Sequence, residues 1–247
     1  MNIKQYLDST YLKTAKQAGI SEVDNLEIVK NVVQEAISED FKLVMLRPKM
    51  VKMAHNLIKD AQSKVLVGTV IDFPKGKSSV SEKIAEAAKA VLNGADDLDF
   101  VCNYKAFRKG NIELLKNEIL TCTQFGLEHH KTVKWIIEVA ALNNRQIIQL
   151  CVLIKNVVLS NFKENNYQSV FIKSSTGFFK TKNNAPNGAT IPTIMMMVEN
   201  AFPLSVKAAG GVRTFDEAIE MVKLGVTRIG TSGAKFIADN ATVNLEY

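Results

Sequence analysis

The sequence predicts an α/β fold, a single-domain (β/α)8 TIM barrel spanning residues 1–247, and three observations carry that expectation. Short β-branched apolar runs alternate with helix-period segments from end to end, the pattern of a parallel sheet built from βαβ units. No Pro/Gly/Ser-rich linker or composition break divides the chain, and its 247 residues suit one barrel. An open doubly wound sheet is the alternative, but no glycine-rich fingerprint follows the first strand.

In chain order, the expected strands are QYLDS (5–9), the weakest, KLVML (42–46), KVLVGTVIDF (64–73), DLDFVC (97–102), KWIIEVA (134–140), SVFIK (169–173), LSVKA (204–208) and TRIGT (227–231). In SVSEKIAEAAKAVLNGA, Val80, Ile84, Ala87, Ala88, Val91 and Leu92 recur at helical spacing and Gly94 is placed to end the helix. In RTFDEAIEMVKLGVTRIG, Thr214 and Glu217 read as a capping box, with Gly225 stopping the helix before the last strand.

Composition excludes several classes. With 47% hydrophobic and 23% charged residues the chain is an ordinary globular protein. The net charge of +6 comes from Lys and Arg scattered along the sequence, without a dense basic block or interleaved aromatics, so attraction of phosphorylated metabolites is expected and nucleic acid is not. No apolar run approaches membrane-spanning length. The polar start MNIKQYLDST and three unpaired cysteines (Cys102, Cys122, Cys151) suggest a cytoplasmic protein with reduced thiols. His55, His129 and His130 have no metal-ligand spacing, so no metal and no cofactor are expected.

Two apolar runs end in lysine: SVFIKSSTG at Lys173 and LSVKAAGG at Lys207. Lysine is rarely buried, yet both lie where a barrel keeps its active site, at the C-terminal ends of strands. Neighbouring strands run about 4.8 Å apart, so two inward lysines there perturb each other. Burial and a nearby cation both lower an amine's pKa and make it nucleophilic. Structural pairing of each lysine with a carboxylate is the bland alternative. In DDLDFVCN, period-two alternation sets Asp97, Asp99, Val101 and Asn103 on one face, which turns Asp99 inward as a candidate proton-transfer partner. Asp97 lies deeper, and Glu138 fits a structural role best. The loops after the last two strands, Gly210-Gly211 and GTSGA (230–234), offer unhindered backbone N–H groups for a phosphate.

Together FIKSSTGF, KAAGGVRTFDEA, GADDLDFVCN and TRIGTSGA resemble the deoxyribose-phosphate aldolases, with LDST, TVIDFPKG and IIE extending the likeness over nearly the whole chain. The resemblance implies reversible cleavage of 2-deoxy-D-ribose 5-phosphate to D-glyceraldehyde 3-phosphate and acetaldehyde through a Schiff base, without metal, in deoxyribonucleoside salvage. It implies that Lys173 forms the Schiff base, that Lys207 lowers its pKa and shuttles protons, and that Asp99 is the acid/base partner. Gly177, Gly210, Gly211, Gly230, Ser232 and Gly233 would contribute to the phosphate site, and Asp8 and Thr176 would lie near the sugar hydroxyls. The partners are then a phosphorylated sugar and small aldehydes, with no nucleic acid and no membrane; a homodimer is compatible with the chain.

The sequence departs from the family in FFKTKNNAPNGAT after Gly177, a longer Lys/Asn-rich stretch that reads as a solvated, mobile insertion. Ala208 stands where many members have proline, and Met45 and Arg47 fall in a variable stretch. Some members end in a tyrosine that swings into the site, a role open to Tyr247. A lysine-dependent aldolase or transaldolase for another phosphosugar, and a noncatalytic barrel that binds phosphosugar or nucleic acid, are the competing readings.

Overall fold

The computed structural model describes residues 1–183 and 185–243; Tyr247 lies outside them. Among the described residues, eight parallel strands close into a barrel in chain order. They are β1 (Leu7–Tyr11), β2 (Leu43–Leu46), β3 (Leu66–Ile71), β4 (Asp97–Val101), β5 (Thr132–Ile136), β6 (Val170–Lys173), β7 (Ser205–Ala209) and β8 (Arg228–Thr231). The barrel shuts where β1 pairs β8 with Asp8 beside Gly230. Around it run α1 (Ala15–Ala18), α2 (Glu22–Glu39), α3 (Val51–Asp60), α4 (Val80–Leu92), α5 (Tyr104–Arg108), α6 (Ile112–Glu128), α7 (Asn144–Asn161), α8 (Ile191–Ala201), α9 (Phe215–Lys223) and α10 (Ala234–Val243). None of the described helices is long and apolar enough to cross a membrane.

Local chemistry sets the boundaries. Thr214 accepts from Glu217 N–H while the Glu217 side chain accepts from Thr214 N–H, the capping box expected from the sequence. Ser79 and Glu82 make the same reciprocal cap at α4, and Gly94 and Gly225 take positive φ after their helices. The expected first strand, 5–9, falls at Leu7–Tyr11, because Ile3–Tyr6 forms a 3-10 turn capped by Asn2. The expected third and fifth strands stop early. Asp72 (φ 52°) and Glu138 (φ 55°) adopt the left-handed region just past β3 and β5, which no strand can continue through.

Period-two alternation sorts the strand side chains. Leu98, Phe100, Trp135, Ile172 and Val206 face outward and are buried beneath the helices. Phe100 stacks on Trp135 with ring centroids 5.4 Å apart, and Trp135 Nε1 donates to Thr123 on α6 at 3.0 Å. The inward set divides by chemistry. Leu43, Met45, Val70, Val101 and Ile136 form an apolar cluster, whereas the charged side chains gather toward β4–β8 and β1.

A separate ion pair is buried outside the barrel. The Lys83 ammonium on α4 pairs with Glu118 on α6, donates to Val101 O at 2.6 Å and lies 3.4 Å from Asp72. Glu118 in turn accepts from Asn103 N–H at 3.3 Å, so the pair anchors the loops after β3 and β4. Removing one partner strands a buried charge, whereas removing both does not. Glu118→Leu should therefore cost about 3 kcal/mol in urea unfolding, and Lys83→Met added to it should recover most of that loss.

Candidate active site

Three inward carboxylates and four inward cations occupy the charged half of the barrel. Strand register brings them together: Asp99 lies beside Lys134, Lys173 beside Lys207 and Lys207 beside Arg228. Asp99 is the hub. Its Oδ2 accepts from Lys173 at 2.9 Å and Lys207 at 3.0 Å, and its Oδ1 from Lys134 at 3.1 Å. Asp97 pairs with Lys134 at 2.5 Å and Arg228 at 3.1 Å. Asp8 pairs with Lys207 at 2.5 Å and Arg228 at 2.6 Å.

Burying charge without compensation is costly, so the count bears on which cation gives up its proton most readily. Asp8, Asp97 and Asp99 balance three cations, and this network holds Lys134, Lys173, Lys207 and Arg228. The surplus falls on Lys173, which meets one carboxylate while Lys207 meets two. Burial first, with help from the Lys207 and Lys134 charges and against Asp99, pushes the Lys173 amine down to about 8. Burial also acts downward on Lys207, but Asp8 and Asp99 outweigh it and hold its ammonium above the ordinary lysine value. Asp99 is driven the other way: burial opposes its ionisation, yet Lys134, Lys173 and Lys207 together keep it well below the usual carboxylate range. The arrangement therefore sets a readily deprotonated amine beside a persistent cation, with one carboxylate bridging them.

Above the network opens a cleft of about 570 Å³. Lys173, Thr176, Gly177, Gly210, Gly211, Gly230 and Ser232 line it. Asp99 and Lys207 are fully buried beneath it, and Asp99 joins Lys207 to Lys173 through its Oδ2. Asp8, expected near a sugar, is not part of the cleft wall; its carboxylate is fully buried between Lys207 and Arg228. Gly233 also lies off the wall, and its N–H donates to Thr231 Oγ1 at 3.0 Å. The Gly177 N–H is similarly held, by Ser175 Oγ at 2.9 Å. Gly210 and Gly211 take φ of 80° and 103°, so the turn after β7 requires glycine. Gly230 is small for another reason: a Cβ there would sit 3.0 Å from Lys207 Cε.

Arg47 closes the apolar side. Its Nε donates to Leu12 O at 2.8 Å and its Nη1 to Phe73 O at 3.2 Å, and its guanidinium lies 4.7 Å from the Phe73 ring centre. Phe178, which lines the cleft, meets Phe73 edge-on at 5.1 Å. The Lys/Asn-rich stretch is tied at both ends, since Ser175 Oγ lies 2.5 Å from Asn187 O and Asn187 Nδ2 donates to Gly177 O at 3.1 Å. Lys180 and Lys182 are exposed between those ties. Among the described residues no His/Cys/Asp/Glu group could hold a metal ion.

Sequence reasoning left Lys134 and Arg228 unassigned. Alternation puts Lys134 on the face of Ile136 and Arg228 on that of Gly230, but at a strand start that pattern does not by itself separate an inward charge from a solvated one.

A buried-amine site at the C-terminal mouth of a (β/α)8 barrel defines the class of lysine-centred barrel proteins. The DeoC/LacD family aldolase model matches residues 5–235. The chain is 33% identical over 240 residues to a deoxyribose-phosphate aldolase from Thermococcus kodakarensis, covering 97% of this chain and 96% of that one. It is 36% identical over 233 residues to a deoxyribose-phosphate aldolase from Metamycoplasma arthritidis, covering 94% of each. Among solved structures, the aldolase QR15 superposes with a TM-score of 0.78 at 29% identity, covering 99% of this chain and 98% of that one. A tetrameric deoxyribose phosphate aldolase from Aeropyrum pernix, TM-score 0.78 at 24% identity, covers 97% of this chain and 91% of its own, and shows the shared fold. The chain belongs to the DeoC/LacD aldolase family, and is thus an aldolase, a carbon–carbon lyase.

The charge count makes a direct prediction. Labelling of Lys173 by an amine-reactive reagent, followed by mass spectrometry across pH, should show its inflection at about 8. In Lys134→Met the network loses a cation, and the inflection should move upward because Lys173 becomes the third positive charge. An unmoved inflection would sink the charge-balance argument.

Proposed function

We propose that the chain cleaves 2-deoxy-D-ribose 5-phosphate reversibly to D-glyceraldehyde 3-phosphate and acetaldehyde through a Schiff base on Lys173, in deoxyribonucleoside salvage. The observation that carries the reading is the Lys173 amine, lowered to about 8 and sharing one Asp99 oxygen with the Lys207 ammonium.

Neutral Lys173 attacks the C1 carbonyl of the open-chain sugar, and loss of water leaves an iminium. The iminium withdraws electrons as the C2–C3 bond breaks, while the C3 hydroxyl loses its proton and becomes the aldehyde of glyceraldehyde 3-phosphate. The remaining enamine takes a proton at C2, and water releases acetaldehyde and the free amine. Each step moves a proton. Lys207 is the donor whose pKa keeps it charged, and Asp99, ionised and bonded to both amines, is the acceptor that orients them. Reaction through these groups needs neither metal nor cofactor.

The phosphate fits the mouth formed by Gly210, Gly211, Gly230 and Ser232, where Arg213 and Lys13 also line the cleft and α10 begins. Thr176 lies on the same wall near the sugar hydroxyls. Gly177 and Gly233 contribute through the shape of their turns, since their N–H groups are engaged. Reduced thiols at buried Cys102, Cys122 and Cys151 suit a cytoplasmic protein. A homodimer belongs to this reading: Ile191, Met195 and Phe202 are exposed along and just past α8, and sedimentation distinguishes two copies from one or four.

Borohydride added with substrate should trap an adduct on the Lys173 peptide, with activity unaffected by chelators. An adduct on Lys207 would reverse the two lysines, and no adduct would remove the Schiff base. Lys207→Leu should lower kcat by about 10²–10⁴-fold, the scale of a lost proton-transfer group, with the circular dichroism spectrum unchanged. The pH dependence follows from the sign of the Lys173 shift: below about 8 the amine is protonated, so kcat/KM should fall about tenfold per pH unit as pH drops.

A further inference from the structure

Glu138 is a buried carboxyl group to which the proposed reaction gives no task. It sits one residue beyond Ile137, whose N–H donates to Lys173 O at 3.0 Å, and it holds a left-handed φ of 55°. A non-glycine residue persists in that region only when its surroundings fix it, and here its side chain does so. Thr176 Oγ1 donates to Glu138 Oε2, Thr176 N–H points at Oε1 from 3.4 Å, and Ser175 Oγ lies 2.9 Å from Oε1.

Counting protons on these oxygens gives a definite result. Ser175 Oγ is 2.9 Å from Glu138 Oε1 and 2.5 Å from the carbonyl oxygen of Asn187. Both are O–H···O hydrogen-bond distances. A serine hydroxyl owns one proton, while a carbonyl and an ionised carboxylate own none to give. With Glu138 ionised, one of the two close oxygen pairs would face each other without hydrogen between them. A proton on Oε1 resolves the whole chain: Glu138 donates to Ser175 Oγ, Ser175 donates to Asn187 O, and Thr176 donates to Oε2. The remaining serine lone pair accepts Gly177 N–H at 2.9 Å, and Thr176 Oγ1 accepts Phe178 N–H at 3.0 Å.

We infer that Glu138 is a neutral carboxylic acid that acts as a positioning residue, tying the turn after Lys173 to the far end of the Lys/Asn-rich stretch and so fixing the cleft wall at Thr176–Phe178. Burial pushes the group upward from the usual glutamate value, against the hydrogen bonds that Thr176 and Ser175 would give its ionised form and the charge of Lys173 on β6. The Tyr104 phenol on α5 also feels its charge. Because the folded-state value is raised, the link is complete at low pH and is lost as pH rises through it.

This inference rests on the cleft being the substrate site only where KM is the readout. Gln supplies a fixed donor and acceptor in the shape of the neutral acid. Glu138→Gln should therefore keep KM for deoxyribose 5-phosphate within about threefold of wild type and abolish its rise at high pH. Ser175→Ala, which breaks the bridge without touching a charge, should raise KM about tenfold and change kcat less. Infrared difference spectra between wild type and Glu138→Gln, with ¹³C-labelled glutamate, read the proton without any substrate. A protonated-carboxyl band at neutral pH, absent from the variant, is expected. A missing band overturns the inference whatever the substrate is, and so does a Glu138→Gln enzyme with KM raised as far as in Ser175→Ala.

Discussion

Electroneutrality inside the barrel is the constraint on which the site depends. Four cations around three carboxylates carry a large electrostatic cost away from water, and lowering the pKa of one of them relieves part of it. Geometry chooses which one yields. Lys207 is clasped by Asp8 and Asp99, Lys134 by Asp97 and Asp99, and Arg228 by Asp8 and Asp97, whereas Lys173 has Asp99 alone. The amine of lowered pKa is thus defined by what it lacks as much as by its neighbours. Groups remote from the cleft, Asp8 and Arg228 among them, belong to the same charge balance.

The opposite half of the interior serves a complementary purpose. Leu43, Met45, Val70, Val101 and Ile136 fill the barrel without polar atoms, and Phe73 and Phe178 continue that surface upward under Arg47. Charges on the other half therefore face a low-dielectric wall, where their mutual interactions are stronger than in water. The Lys173 side chain lines the cleft above this filled interior.

Much of this was legible in the sequence. The alternation of short apolar runs with helical periods predicted all eight strands, and the capping residues Thr214, Glu217, Gly94 and Gly225 fell where local chemistry requires them. Lys173, Lys207 and Asp99 were visible because each breaks an apolar pattern on a face destined for the interior. Lys134 and Arg228 were not, since a charged residue near the start of a strand reads as a solvated boundary until the register with neighbouring strands is known. The strand ends at Asp72 and Glu138 were hidden for a related reason: neither residue type announces a left-handed turn, and tertiary hydrogen bonds decide it. The stretch after Gly177, solvated in its composition, is anchored through Asn187 by bonds that no local pattern encodes.

Gly230 lines the cleft with the glycine turns, yet its missing side chain also leaves room for the adjacent Lys207 stem. One position thus belongs to two tasks that enzyme engineers usually treat as independent modules. A mutational library directed at this wall would carry built-in epistasis, because a Cβ at Gly230 would press on Lys207 Cε from 3.0 Å, and the Lys207 ammonium shares Asp99 with Lys173. Variation at Ser232, which lines the cleft just past the end of β8, escapes that particular constraint, so the adaptable and the frozen parts of the pocket are separated by only two residues of chain.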